Sequence, residues 1–150
     1  RFGRMGMLIC EDFWHMSAPY LLWMDGADML LLHSCSPSRG VSSDEGGRLT
    51  SSRWVELMNQ SYASSFTSYV VHCNRVGYED GKNFWGGSSV ASPDGEFLTH
   101  GLYFDEALII QDVDLNQLHR TRSRVPLLRD ERPDLVQREL GRVLGTRSGV

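Results

Sequence analysis

Lysine is almost missing from this 150-residue chain: Lys82 is the only one. Cysteine is scarce too. Cys10, Cys35 and Cys73 form an odd set without CxxC spacing. That argues against a disulfide framework or a zinc knuckle, and a reducing, cytoplasmic setting fits best. No apolar run reaches the roughly 18 residues of a membrane span, and no signal peptide is visible. No methionine opens the chain either. It begins at Arg1 and enters an apolar stretch at once, so a fragment or a cleaved chain is the expectation. An excess of positive charge is also lacking. The formal balance is −4, which points away from nucleic acid as a partner.

What is present is ordinary for a globular domain with a real core: 41% hydrophobic and 23% charged residues. The charge is uneven. Residues 119–150 hold eight Arg against four acids. Leucines and acids are interleaved with these Arg, so a solvated or subunit-facing surface is expected rather than a nucleic-acid arm.

The pattern along the chain alternates strand and helix. Met5–Cys10 reads as a buried strand. After a polar, aromatic turn at Glu11–His15, Ser17 can cap a helix with Pro19 in its first turn and Gly26 past its end. Asp28–His33 is a second buried strand, parallel to the first in a βαβ unit. Residues 34–52 form a Ser- and Gly-rich loop, long enough to be functional. A helix over roughly 53–66 should bury Trp54, Leu57, Met58, Tyr62 and Phe66. Ser68–Asn74 is a third strand, Gly77–Gly87 a turn-rich loop, and Ser88–Ala91 a fourth strand. Ser92-Pro93-Asp94-Gly95 is a turn. Phe97–Thr99 and Ala107–Val113 should add antiparallel strands. A short helix at 115–120 and another near 133–144 complete the chain. The class is a layered α/β domain with helices against a mixed sheet. Residues 1–125 form the domain and 126–150 an Arg-rich tail.

Cys10 ends a strand just before a helix, across a tight turn. A nucleophile there projects into a cleft, and backbone amides beyond it can face a developing oxyanion. The helix N-terminus nearby favours a thiolate. Attack by sulfur on a carbonyl or nitrile carbon would give a covalent acyl-enzyme. The plainer alternative is a small buried residue that finishes a strand, and for Cys10 taken alone that alternative is favoured.

The ordered segments around it change the weighting. Gly6-Met7-Leu8-Ile9-Cys10-Glu11-Asp12 resembles the nucleophile segment of the nitrilase, or carbon–nitrogen hydrolase, superfamily. Gly26-Ala27-Asp28 and Ser36-Pro37 resemble the next βαβ step. Val70 to Gly77 resembles the strand ending in Asn-x-Val-Gly, Phe84 to Ser89 the F-x-G-x-S segment, and Pro93-Asp94-Gly95 its turn. Within the superfamily, Cys10 to Trp14 agrees best with the glutaminase domains of glutamine-dependent NAD synthetases. The resemblance implies an α-β-β-α sandwich, present as the C-terminal half with the N-terminal half missing. It implies Cys10 as nucleophile, the Glu11 backbone amide at the oxyanion, Asp12 bracing the turn, and Phe13, Ser36 and Arg39 as substrate contacts. It implies hydrolysis of a small-molecule amide without cofactor or metal, and a homo-oligomer.

The family's catalytic Glu and Lys precede its Cys, and only nine residues precede Cys10. Lys82 reads as a solvated loop charge. This chain alone is therefore expected to be inactive. Other readings are a glutaminase part of an NAD synthetase and a non-catalytic interaction module. A metal site from His15, His33, Cys35, His72 and Cys73 follows no known spacing. A Cys–His enzyme would need His15 turned toward Cys10, and the turn is expected to aim it elsewhere. The four Trp are expected in the core.

Overall fold

The computed structural model describes residues 3–40 and 49–147. Seven strands and five helices follow in chain order. β1 (Met5–Ile9), α1 (Ser17–Met24) and β2 (Met29–Ser34) form the expected βαβ unit, with β1 and β2 parallel and Gly6 opposite Leu30. α2 (Thr50–Ser65) leads to β3 (Tyr69–Asn74), which lies parallel to β2. β6 (Ser89–Ala91) and β7 (Phe97–His100) add antiparallel strands, giving a five-stranded sheet in the order β1-β2-β3-β6-β7. The Ser92–Gly95 turn joins the last two, and the Gly95 amide donates to Ser92 O at 2.8 Å.

α1 and α2 cover one face of the sheet. The core there is Leu8, Leu30, Leu32, Val70 and Ala91 from the strands against Phe13, Trp23, Tyr62, Ala63 and Phe66. Close contact needs a bare position at Gly6: a Cβ built there would meet Leu22 at 2.9 Å. The opposite face is different. Met29 and Tyr69 pack under Leu118 at one end, but Met5, Met7 and Ile9 are 56%, 66% and 62% exposed. β1 therefore alternates buried and exposed residues, and the expected fully buried strand is corrected. Its apolar run meets the sequence requirement for burial on two faces, and only one face is covered.

Several other elements differ from the reading above. Ser17 is the first residue of α1; Met16 occupies the cap position without a side-chain bond. α2 buries Ser52, Val55, Glu56, Asn59, Tyr62 and Ala63, while Trp54 and Leu57 stay exposed. The helix can turn polar residues inward because they find partners. Asn59 Nδ2 donates to Ser89 Oγ at 3.3 Å, and Glu56 accepts from Tyr103 Oη and pairs with His100 at 3.3 Å. The segment expected as a loop over 77–87 contains a hairpin, β4 (Val76–Glu79) with β5 (Lys82–Trp85). Its turn residues Asp80 and Gly81 have φ of 49° and 74°, the left-handed pair that an Asp-Gly hairpin turn needs. Ala107–Val113 is not a strand. Leu108 and Ile110 are 88% and 83% exposed, and no described strand pairs with them, so nothing satisfies a ladder.

The basic C-terminal region starts as a docked element. α3 (Leu115–Arg124) is capped by Asp114, whose side chain accepts from the Asn116 amide. Arg122 pairs with Asp28 at 2.6 Å and donates to Ala27 O, Thr67 O and Ser68 Oγ. This Arg is a largely covered clamp, not a solvated charge. α4 (Leu127–Asp130) brings Leu128 onto the core, and α5 (Pro133–Arg147) follows. None of the described helices is long and apolar enough to cross a membrane.

Candidate active site

β1 ends in a tight 3-10 turn over Cys10–Trp14. Cys10 itself takes a φ of 48°. A non-glycine residue in this left-handed region is strained by roughly 1–2 kcal/mol, a condition found where a turn is held for function. Asp12 holds it: its Oδ2 accepts from the Ile9 amide at 3.1 Å, as the brace expected from sequence. The Asp12 carbonyl accepts from the His15 amide at 3.3 Å.

The Cys10 thiol is partly exposed and lines a cavity of about 700 Å³. Glu11, Ser36 and Arg39 line the same space, so four of the five sequence-derived site residues are brought together. Phe13 is the exception. It is 1% exposed and packs edge-on against Tyr62 at 4.8 Å, in the core behind the turn. As the fourth residue of a tight turn whose neighbours face out, it points inward; the expected substrate contact is corrected.

A chain of hydrogen bonds places Ser36. Its amide donates to Asn74 Oδ1 at 2.9 Å, and its hydroxyl shares a 2.7 Å bond with Ser34 Oγ. Asn74 Nδ2 donates to Gly86 O at 2.9 Å. The Asn of the Asn-x-Val-Gly segment thus ties the Ser36 loop to the glycines at 86–87. Arg39 is held through its backbone. Its amide donates to Ser51 Oγ at 3.1 Å and its carbonyl accepts from the Ser51 amide at 3.2 Å.

Sequence reasoning missed three parts of the lining. Thr50 and Ser51 come from the first turn of α2, and Trp14 and Trp54 stand as exposed walls, 45% and 54% accessible. Trp23 and Trp85 are core residues as expected, at 2% and 0%. The off-pattern exposure of Trp54 is legible only from which face of α2 is buried. His15 also lines the cavity, with Nε2 3.8 Å from Glu11 Oε1. No hydrogen bond joins it to Cys10 among the described residues. Lys82 lies apart, in a second cavity of about 600 Å³ that shares Pro37 and Arg39 with the first. No three His, Cys, Asp or Glu of the described residues come together as a metal site.

A strand-end thiol, strained and braced, at the mouth of a mixed sheet is the geometry of a nucleophile cleft. The model of the carbon–nitrogen hydrolase family matches residues 1–123. The chain belongs to the carbon–nitrogen hydrolase family. Among curated relatives, N-carbamoylputrescine amidase of Arabidopsis thaliana is 27% identical over 145 residues, 91% of this chain and 47% of that protein. Glutamine-dependent NAD(+) synthetase of Rhodobacter capsulatus is 29% identical over 110 residues, 73% of this chain and 18% of that protein. The crystal structure of a carbon–nitrogen hydrolase from Helicobacter pylori G27 matches with a TM-score of 0.80 at 27% identity, covering 92% of this chain and 49% of that one. This carbon–nitrogen hydrolase chain spans about half the length of the amidase it matches, or less of the synthetase. Its sheet and helices have the fold of the family over that span.

Proposed function

We propose that Cys10 is the acyl acceptor in hydrolysis of a non-peptide amide. Its sulfur attacks the carbonyl carbon, and the amide nitrogen leaves with a proton as ammonia or an amine. The resulting thioester is opened by water, which releases the acid and restores the thiol. The backbone amide of Glu11 meets the developing oxyanion. Ser36 contacts the substrate from a fixed position, and Arg39 attracts an acidic group on it.

The observation that carries this reading is Cys10 at φ 48° in a cavity shared with Glu11, Ser36 and Arg39. Family membership supplies the reaction class. Among the described residues, neither a general base nor the catalytic lysine stands beside Cys10: no Lys lines its cavity, and the acid that does, Glu11, is 87% exposed. The isolated chain is therefore inactive in this reading, and the protein works as a homo-oligomer of complete subunits.

The test uses intact protein and mass spectrometry. A simple amide should leave an acyl mass on Cys10, and Cys10→Ala should lower ammonia release by about a thousandfold or more. An adduct on another residue, or full turnover in Cys10→Ala, would sink the proposal. Ammonia release by the isolated chain that is lost in Cys10→Ala would overturn its inactivity.

A further inference from the structure

We propose that Lys82 and Arg39 form an anion subsite beside the nucleophile cavity, so that the preferred amide carries an acidic group at the end remote from the scissile bond. The inference rests on Cys10 being the acyl acceptor.

Lys82 comes from β5, far from Cys10 in sequence, yet its cavity adjoins the first, with Pro37 and Arg39 in the lining of both. The two walls are fixed against each other. The Ser38 amide donates to Asn83 O at 2.7 Å, Ser38 Oγ donates to Asn83 Oδ1 at 2.6 Å, and Pro37 bridges Phe84. On the other side, Arg39 and Gly40 are bonded to Ser51 and Thr50 of α2. The backbone of Arg39 is thus held between the hairpin and the helix, and the residue lines both spaces.

Charge is left over there. Among the described residues neither Arg39 nor Lys82 has an ion pair. Glu79 stands opposite Lys82 in the hairpin register, but its carboxylate is bound by Arg75. Arg75, paired with Glu79, lies 4.6 Å over the ring of Phe84, a residue of the cavity wall. Asp80, the other acid of the hairpin, sits at its tip and does not line the cavity. Two cations that line one cavity, without an ion pair among the described residues, attract an anion and repel a cationic arm. An amide seated at Cys10 with an extended chain past Arg39 would place a carboxylate at Lys82.

The experiment is calorimetric binding to intact Cys10→Ser protein, which separates binding from chemistry. Adipic acid monoamide should bind about fivefold to tenfold more tightly than hexanamide, an advantage that shrinks as salt is raised. Lys82→Gln should remove most of the advantage and Lys82→Arg should keep it. Equal affinity for the two amides overturns the subsite, as does an advantage that survives Lys82→Gln or a loss shared equally by both amides. Absence of an acyl mass on Cys10 in the unsubstituted protein would refute the nucleophile, and the binding difference would still decide the subsite.

Discussion

Cys10 and His72 are both held against their ordinary preference. Cys10 takes a φ of 48°, which glycine adopts without strain. Cys10→Gly is expected to exceed Cys10→Ala in stability by about 1 kcal/mol; equal denaturant midpoints would show that the turn stores no strain. His72 is 2% exposed, and neither ring nitrogen has a hydrogen-bond partner among the described residues. Burial, with a smaller contribution from His100, pushes its pKa down to about 4 from 6.5. The folded value lies below the unfolded one, so the folded state favours the neutral ring. Its contribution is fully present above about pH 6.5 and is lost as pH falls toward 4. The loss amounts to about 3 kcal/mol. Urea melts of the intact protein at pH 7 and pH 4.5 should show it, and His72→Gln should flatten the difference. Cys10 was legible as a strand-end thiol in a recognisable segment. The burial of His72 was not, because a histidine in an apolar strand reads alike on either face.

At the level of elements, apolar periodicity located most strands and helices but misjudged what each one faces. α2 is the clearest case. Its Trp54 and Leu57 have the spacing of a core stripe, yet the helix buries Glu56, which Tyr103 and His100 bind, and Asn59, whose Nδ2 donates to Ser89 Oγ. The hairpin at 76–85 carried a local signal in Asp80-Gly81, overlooked among the surrounding glycines. α3 shows how a basic segment can be structural. Arg122→Ala removes an ion pair with Asp28 and its hydrogen bonds to Thr67 O and to Ala27 O, which keeps only that from Ser68 Oγ. The expected loss is about 2–3 kcal/mol, read as a lower urea midpoint; Arg124→Ala, at a 66% exposed side chain, should cost well under that. Equal effects would mean that α3 is not clamped through Arg122.

Across the described residues, the five-stranded sheet carries α1 and α2 on one face, while the other has α3 at one end and leaves Met5, Met7 and Ile9 exposed. α5 likewise exposes Val136, Leu140, Val143 and Leu144 on the face that their spacing predicts. If the protein is the proposed homo-oligomer, this stripe is where contact with another copy is expected. Leu140→Glu should lower the assembly state of the intact protein in light scattering; an unchanged mass would exclude α5 from the contact. The sequence by itself determined the α/β class, the βαβ order, the family and the thiol that carries the proposed chemistry, because apolar runs, turn residues and ordered motifs are local properties. Tertiary structure alone decided what meets at that thiol. It turned Phe13 into the core, brought Trp14, His15 and Trp54 into the cavity, and set Lys82 in an adjoining one. The physical reason is that a side chain's direction depends on which face of its element is covered, and that is fixed by partners distant in sequence.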